Sequence, residues 1–380
     1  MKVSGAWLNV EGTQSLLRAL IASGHRALFV GGCVRNAILG VPVGDIDIAT
    51  DALPQTVIKI AEEAGFRAIP TGIEHGTVTV IAGGMSHEVT TLRRDVQTDG
   101  RHAVVAYTTD IAEDAARRDF TMNALYAQAD GTVIDPLGGL PDLLARRVRF
   151  VGDANARIVE DYLRILRFFR FHAIYGDPSH GFDADGLAAC AENVAGLDTL
   201  SRDRVGTELC KLLAGFDPAP ALSAMERAGV LSRVLPGATA RFMPILVHFE
   251  SGVPRSWLCR LAVLGGEDPT ANLRLSRAAA ATLGEIREGL ATTDPADALG
   301  WLYGVGVASD ILHARAALFE MPLPTGWHDH AVRGADASFP ISAADLMPNL
   351  QGPELGEALK SLQARWLSTG LCLTKVELLA

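Results

Sequence analysis

The chain has 380 residues, 48% of them hydrophobic and 21% charged, with a formal net charge of −10. That length exceeds one ordinary core and predicts two or three domains, and the composition predicts a soluble globular class rather than a disordered one. The acidic balance argues against a generally basic nucleic-acid coat, yet arginines cluster at Arg93-Arg94, Arg117-Arg118, Arg146 to Arg149 and Arg164 to Arg170, and a local stripe is enough for phosphate contact.

Asn9 and Glu11 interrupt any apolar run near the start, so no secretory signal is expected there. The apolar stretch 243–249 is far shorter than a membrane span. We therefore expect a cytosolic protein without membrane attachment. The five cysteines, at 33, 190, 210, 259 and 372, have no metal-ligand spacing and are expected to be small buried hydrophobes.

Taken in chain order, 8–22 reads as an amphipathic helix ending at Gly24. Residues 26–30 form a short apolar strand broken by Gly31-Gly32, and 34–39 a helix stopped by Gly40. The alternation of acid and apolar residues over 45–49 predicts a strand. A helix opens at Pro54 and runs to 64, and strands follow at 77–81 and 88–92. Residues 95–110 turn polar around Thr98, Asp99 and Gly100 and read as a mobile loop. After Pro141 strand signals fade and helical periodicity dominates. Breaks fall at Asp217-Pro218 and 252–254. The predicted fold class is α+β: a small α/β head with an antiparallel or mixed sheet over 1–140, a helical neck over 141–215, and a helical body and tail over 216–380.

The chemistry centres on Gly31-Gly32, Arg35 and the pair Asp45 and Asp47. On a strand, residues two apart share a face. Two carboxylates on one face repel each other unless a cation lies between them. Nucleotidyl transfer commonly uses two divalent ions ~3.5–4 Å apart. A solvated strand edge with spaced acids is the competing reading of a bare Asp-x-Asp. A glycine pair ahead of a helix lets backbone amides approach an anion closely, and Arg35 on that helix is within reach of phosphate oxygens. No dinucleotide or P-loop glycine pattern follows.

Residues 28–35 (LFVGGCVR) and 44–50 (GDIDIAT) closely resemble the first signature of class II tRNA nucleotidyltransferases and bacterial poly(A) polymerases. The stretches 88–93 (EVTTLR), 117–124 (RRDFTMNA), 135–139 (DPLGG) and 160–167 (EDYLRILR) match in the same order, with a fainter echo at 352–356. The resemblance implies Mg2+ bound by the catalytic aspartates Asp45 and Asp47, with Glu88 as a further catalytic acid beside the metal. It implies Gly32 and Arg35 against the triphosphate and Arg118 on the nucleotide, with Asp119 and Asn123 holding the shape of the site. The substrates it implies are CTP, ATP and tRNA, with no stable protein partner. The activity implied is addition of C, C and A to the tRNA 3′ end, or, as the alternative, poly(A) addition to RNA ends. This chain has Asn36 where the family usually has Asp, which exchanges a charge for a short polar group.

Residues 160–171 read as one strong helix on which Asp161 and Arg164 are neighbours across a turn, with Arg167 and Arg170 continuing at the same step. A surface ion-pair face is the ordinary reading of such a pattern. There is also a chemical logic for base reading. Cytosine and adenine both present an amino donor beside a ring-nitrogen acceptor, whereas uracil and guanine present a carbonyl beside a ring N–H. An ionised Asp only accepts and an Arg only donates, so one such pair suits C and A and opposes U and G. The resemblance implies this role for Asp161 and Arg164, with Arg167 and Arg170 as further nucleotide contacts. His328-Asp329 reads as a loop, His75 as part of a turn, and Trp257, Trp301 and Trp366 as core.

Overall fold

The computed structural model describes residues 1–99, 102–347 and 349–380, with side chains described outside 95–105 and 348. The chain falls into two compact units, Met1–Leu200 and Ser201–Ala380. The neck expected over 141–215 therefore has residues in both.

In the first unit the elements are α1 (Glu11–Ala22), β1 (Ala27–Val30), α2 (Gly32–Leu39), β2 (Ile46–Thr50), α3 (Pro54–Glu63), β3 (Arg67–Gly72), β4 (Thr77–Ala82) and β5 (Met85–Thr91). They continue with β6 (Arg93–Asp99), β7 (His102–Tyr107), α4 (Ile111–Ala116), β8 (Tyr126–Ala127), β9 (Val133–Ile134), α5 (Leu140–Leu144), α6 (Ala154–Glu160), α7 (Leu163–Tyr175) and α8 (Ala184–Glu192). Seven strands form one mixed sheet in the order β3-β4-β5-β2-β1-β8-β9. Only β2 and β5 pair in parallel, the other pairs being antiparallel. A parallel pair needs a long crossover, here supplied by α3, β3 and β4. The sheet buries Phe29, Ile48, Val78, Val80 and Val89 completely, and a fully buried side chain of this size contributes about 1.5–3 kcal/mol.

Two expectations for this unit change. The polar segment 95–110 is not simply a loop: β6 and β7 pair antiparallel from Arg93↔Tyr107 to Asp99↔His102. The tip, residues 100 and 101, lies outside the described residues. The helix expected over 160–171 is broken, because α6 ends at Glu160 and α7 begins at Leu163. Asp161 between them is extended, with φ −155° and ψ 103°. Its carboxylate accepts the Leu163 N–H at 3.1 Å, and a short acid that bonds nearby backbone favours a helix start over a helix interior.

The second unit is helical: α9 (Arg202–Leu213), α10 (Ala219–Arg227), α11 (Val230–Val234), α12 (Met243–Phe249), α13 (Trp257–Leu264), α14 (Pro269–Asn272), α15 (Arg277–Leu290), α16 (Ala296–Leu318), α17 (Trp327–Asp336), α18 (Ala343–Leu346), α19 (Gly352–Ser368) and α20 (Lys375–Leu379). The breaks expected at 217–218 and 252–254 fall between α9 and α10 and between α12 and α13. His328 and Asp329 lie in the first turn of α17 rather than in a loop. Trp366 is buried and meets Trp301 edge-on, whereas Trp257 is only half-buried. Cys33, Cys190 and Cys259 are buried, Cys210 is half-buried, and Cys372 is exposed, unlike the buried position expected for it.

Candidate active site

Asp47 lies on β2 directly opposite Glu88 on β5. Asp45 precedes β2 by one residue and shares the face of Asp47, because strand side chains alternate. Ile46 and Ile48 point the other way into the core. Three carboxylates therefore share one shelf, Asp45 and Glu88 exposed and Asp47 half-buried. The Asp47 carboxyl is pushed up to about 6, first by burial and then by the charge of Glu88; Arg118 and Arg35 pull in the opposite direction and Asp45 adds to the rise. Among the described residues no three His, Cys, Asp or Glu side chains group closely enough to hold a metal by themselves.

Beside the shelf, the chain turns sharply from β1 into α2. Gly31 caps α2 with φ 69° and ψ −117°, a conformation that disfavours a Cβ. A Cβ there would lie 3.4 Å from Arg118 Nη1, so Arg118 stands next to the turn. Arg118 is fixed from behind: Nη2 donates to Asp114 at 3.0 Å and Nε to the Tyr126 hydroxyl at 3.2 Å. Burial opposes the charge on Arg118, but Tyr126 and Asp114 outweigh it and keep the guanidinium protonated.

Arg35 is 7% exposed and engaged on several sides. Nη1 donates to Asn123 at 2.5 Å, Nη2 to the Tyr175 hydroxyl at 2.7 Å, and both Nε and Nη2 to Asn36 Oδ1. Its guanidinium lies 4.1 Å from the Tyr175 ring centroid. Asn36 in turn donates to the Pro42 carbonyl at 2.9 Å. An Asp at position 36 lacks that donor, so the amide keeps the Arg35 contact and adds a loop contact.

Asn123 donates to Asp119 at 2.9 Å, and Asp119 accepts from Arg167 at 2.8 Å. A polar chain thus runs from α2 through Asn123 and Asp119 to α7. Asp119 stays well ionised because Arg167 and Asn123 overcome its burial. Below this chain, Phe120, Phe150, Phe168 and Phe171 pack ring on ring, which fixes how α7 lies. Arg170 lies over the Phe171 ring, 4.6 Å from its centroid.

Arg164 keeps a backbone bond to Asp161, its N–H donating to that carbonyl at 3.0 Å. Its side chain pairs with Glu160 at 2.5 Å and donates to the carbonyls of Arg157 at 2.7 Å and Arg117 at 3.2 Å. Asp161 and Arg164 thus remain neighbours across one turn, but Asp161 caps α6 and lies two residues before α7 rather than inside one continuous helix. The structure thus brings Asp45, Asp47, Glu88, Gly32 and Arg118 together around the start of β2, in the middle of the sheet, and Arg164, Arg167 and Arg170 onto α7. Sequence reading missed Glu160, Asp114, Tyr126 and Tyr175 as the groups that hold the arginines. Of these, Asp114 was signalled by its position four before Arg118 in a helical segment. A cleft of about 1050 Å³ lined by Arg149, Asp153, Arg157, Asp183 and Glu192, among others, contains none of the expected site residues.

The model described as the poly A polymerase head domain matches residues 27–149, and that described as the probable RNA and SrmB-binding site of polymerase A matches 182–242. The mitochondrial CCA tRNA nucleotidyltransferase 1 of Mus musculus is 33% identical over 98% of this chain and 90% of its own length. The chain belongs to the CCA tRNA nucleotidyltransferase family. A CCA-adding enzyme of Latilactobacillus sakei is 32% identical over 92% of each chain. The crystal structure of the Bacillus stearothermophilus CCA-adding enzyme in complex with CTP is similar with a TM-score of 0.75 and 29% identity, covering 94% of this chain and 93% of that one. The family is one of nucleotidyltransferases generally dependent on a divalent metal. No helix among the described residues is long and apolar enough to cross a membrane, and the mouse relative is mitochondrial by name, so family membership assigns no cytosolic compartment.

Proposed function

We propose that this chain adds C, C and A to the 3′ end of tRNA from CTP and ATP, releasing pyrophosphate. The observation that carries this reading is the carboxylate shelf beside the Gly31 turn, in a chain that spans nine-tenths of a CCA tRNA nucleotidyltransferase. Asp45 and Asp47 would hold Mg2+. That ion keeps much of its water and takes one or two carboxylates plus phosphate oxygens, so a site without a third protein ligand suits it, and the mutual repulsion around Asp47 favours a cation there. When bound, the ion supplies charge neutralisation on the phosphates and activation of the attacking hydroxyl.

The chain's own groups have separable tasks. The first amides of α2, at Gly32, receive phosphate oxygens where no side chain intrudes. Arg118, held charged by Asp114 and Tyr126, places a cation beside them. Arg35 orients α2 against α7 through Asn123 and Tyr175. Asp161 and Arg164 select bases with an amino donor beside a ring acceptor, with Arg164 held by Glu160, while Arg167 and Arg170 line the same helix. Residues 1–140, 141–215 and 216–380 would serve as catalytic head, nucleotide-reading neck and tRNA-binding body and tail.

The test supplies CTP and ATP together to a tRNA ending before CCA and to an unstructured oligonucleotide. We expect a product that stops after three nucleotides on tRNA and little on the oligonucleotide. Asp45→Ala and Asp47→Ala should abolish incorporation without changing the melting temperature by more than about 2 °C, since neither side chain is a core contact. Long adenylate ladders on both RNAs with CTP ignored would assign poly(A) addition instead.

A further inference from the structure

In the second unit, the segment joining α9 to α10 exposes Phe216 to 72%. A large aromatic so open to water needs a rigid support to stay where it is. Arg260 on α13 provides one: it is 0% exposed and donates to the carbonyls of Leu213, Gly215 (2.6 Å) and Phe216 (3.3 Å). The charge of Arg260 is answered by Glu250, with Nη2 to Oε2 at 2.6 Å and Nε to Oε1 at 3.0 Å. Removing one member of a buried pair leaves an uncompensated charge, so such a pair strongly constrains its surroundings. The backbone that carries Phe216 is therefore pinned by three hydrogen bonds from a buried cation.

Arg255, just before α13, places its guanidinium 4.4 Å from the Phe216 ring centroid. It is itself exposed, and among the described residues no carboxylate pairs with it. Ring and guanidinium thus form an open stack in which, among the described residues, no protein acceptor hydrogen-bonds the guanidinium. Unpaired RNA bases stack on aromatic rings and on Arg planes, and Arg donors bond phosphates. A purely apolar protein contact would not use the unpaired charge. Phe216 also lies within the 182–242 segment matched above.

We propose that Phe216 and Arg255 form an RNA-contact platform on the helical unit, taking an unpaired base on the stack and a phosphate on Arg255. This rests on the reading of the chain as a tRNA-extending enzyme. The experiment measures binding of the full chain to a tRNA ending before CCA, over a series of salt concentrations, for the wild type, Phe216→Ala, Phe216→Tyr and Arg255→Gln. Phe216→Ala should raise the Kd for tRNA about tenfold or more, the range found when a stacking aromatic is removed, while Phe216→Tyr stays within about twofold because its ring still stacks. Arg255→Gln should lower the slope of log affinity against log salt by about one. The Kd for CTP and the melting temperature should be unchanged in all three. A tRNA affinity in Phe216→Ala equal to wild type would overturn the platform and assign the exposed ring to protein contact. Equal losses for tRNA and CTP would also overturn it, by showing a general distortion. If the wild type extends tRNA and only the variants fail to differ, the platform alone is wrong; if the wild type neither binds nor extends tRNA, the functional reading fails first.

Discussion

Replacing Asp114 by Asn removes the negative charge that pairs with both Arg117 and Arg118. Asp114 is 1% exposed. Oδ1 accepts from Arg117 Nε at 3.0 Å and from the Arg93 N–H at 3.2 Å, and Oδ2 accepts from Arg118 at 3.0 Å and Tyr126 at 2.6 Å. Burial alone would raise this carboxyl, but Arg118 and Arg117 outweigh it and hold it at about 2, against an ordinary 3.8. At 1.36 kcal/mol per pKa unit, the charged form is favoured by about 2–3 kcal/mol. Asn keeps one acceptor oxygen and turns its NH2 group toward the donors at the other, a guanidinium among them, so buried donors lose their partner. We expect a loss of about 3 kcal/mol and a melting temperature lower by roughly 6–12 °C for a unit of this size. Arg118 then loses its placement beside Gly31, and the KM for CTP should rise about tenfold, equivalent to about 1.4 kcal/mol. The pH dependence has a definite sign. A carboxyl whose folded pKa is depressed adds stability above about pH 4, and that stability is lost as pH falls toward 2, so the variant should lack this part of the acid limb. Calorimetry of the full chain and initial rates with CTP measure both effects. A melting shift under about 2 °C together with an unchanged KM would refute the claim that Asp114 holds Arg118 in place.

Glu160→Gln loosens Arg164 and should raise incorporation of UTP and GTP relative to CTP and ATP by about tenfold, the scale of one charged hydrogen bond; equal slowing on all four nucleotides would mean that Glu160 only supports the helix. His172 is 5% exposed, and its ring stacks on Phe182 with centroids 3.6 Å apart. Burial holds it at about 4, below the ordinary 6.5, so the unfolded chain binds the extra proton first. Stability should be complete above about pH 6.5 and fall as pH drops toward 4, by roughly 3 kcal/mol in all from this group. Urea midpoints at pH 7.5 and pH 5 compare wild type with His172→Leu, and an identical drop in both would remove His172 from the account.

Several elements of the head could be read directly along the chain. The glycine pair marked the β1–α2 turn because a positive φ needs a residue without Cβ, and the Asp-x-Asp alternation placed two acids on one face of β2. The strands β3, β8 and β9 were missed. A two-residue strand such as β8 has no period to detect and exists only because β1 and β9 lie beside it. The ribbon of β6 and β7 was missed because its polar composition resembles that of a loop, while its order comes from cross-strand hydrogen bonds.

Residue chemistry was determined by the sequence alone. It dictated which groups are acids, which are cations, and where the backbone turns tightly, since these depend on each side chain and its immediate neighbours. Partnership was decided by the tertiary structure. Asp47 meets Glu88 only because a crossover makes β2 and β5 parallel. The Arg164 guanidinium binds Glu160 across the junction of α6 and α7, where the Asp161 carboxylate accepts the Leu163 N–H. An ionised side chain accepts any opposite charge or hydrogen-bond partner within reach, and reach is a property of the folded chain, not of spacing along it.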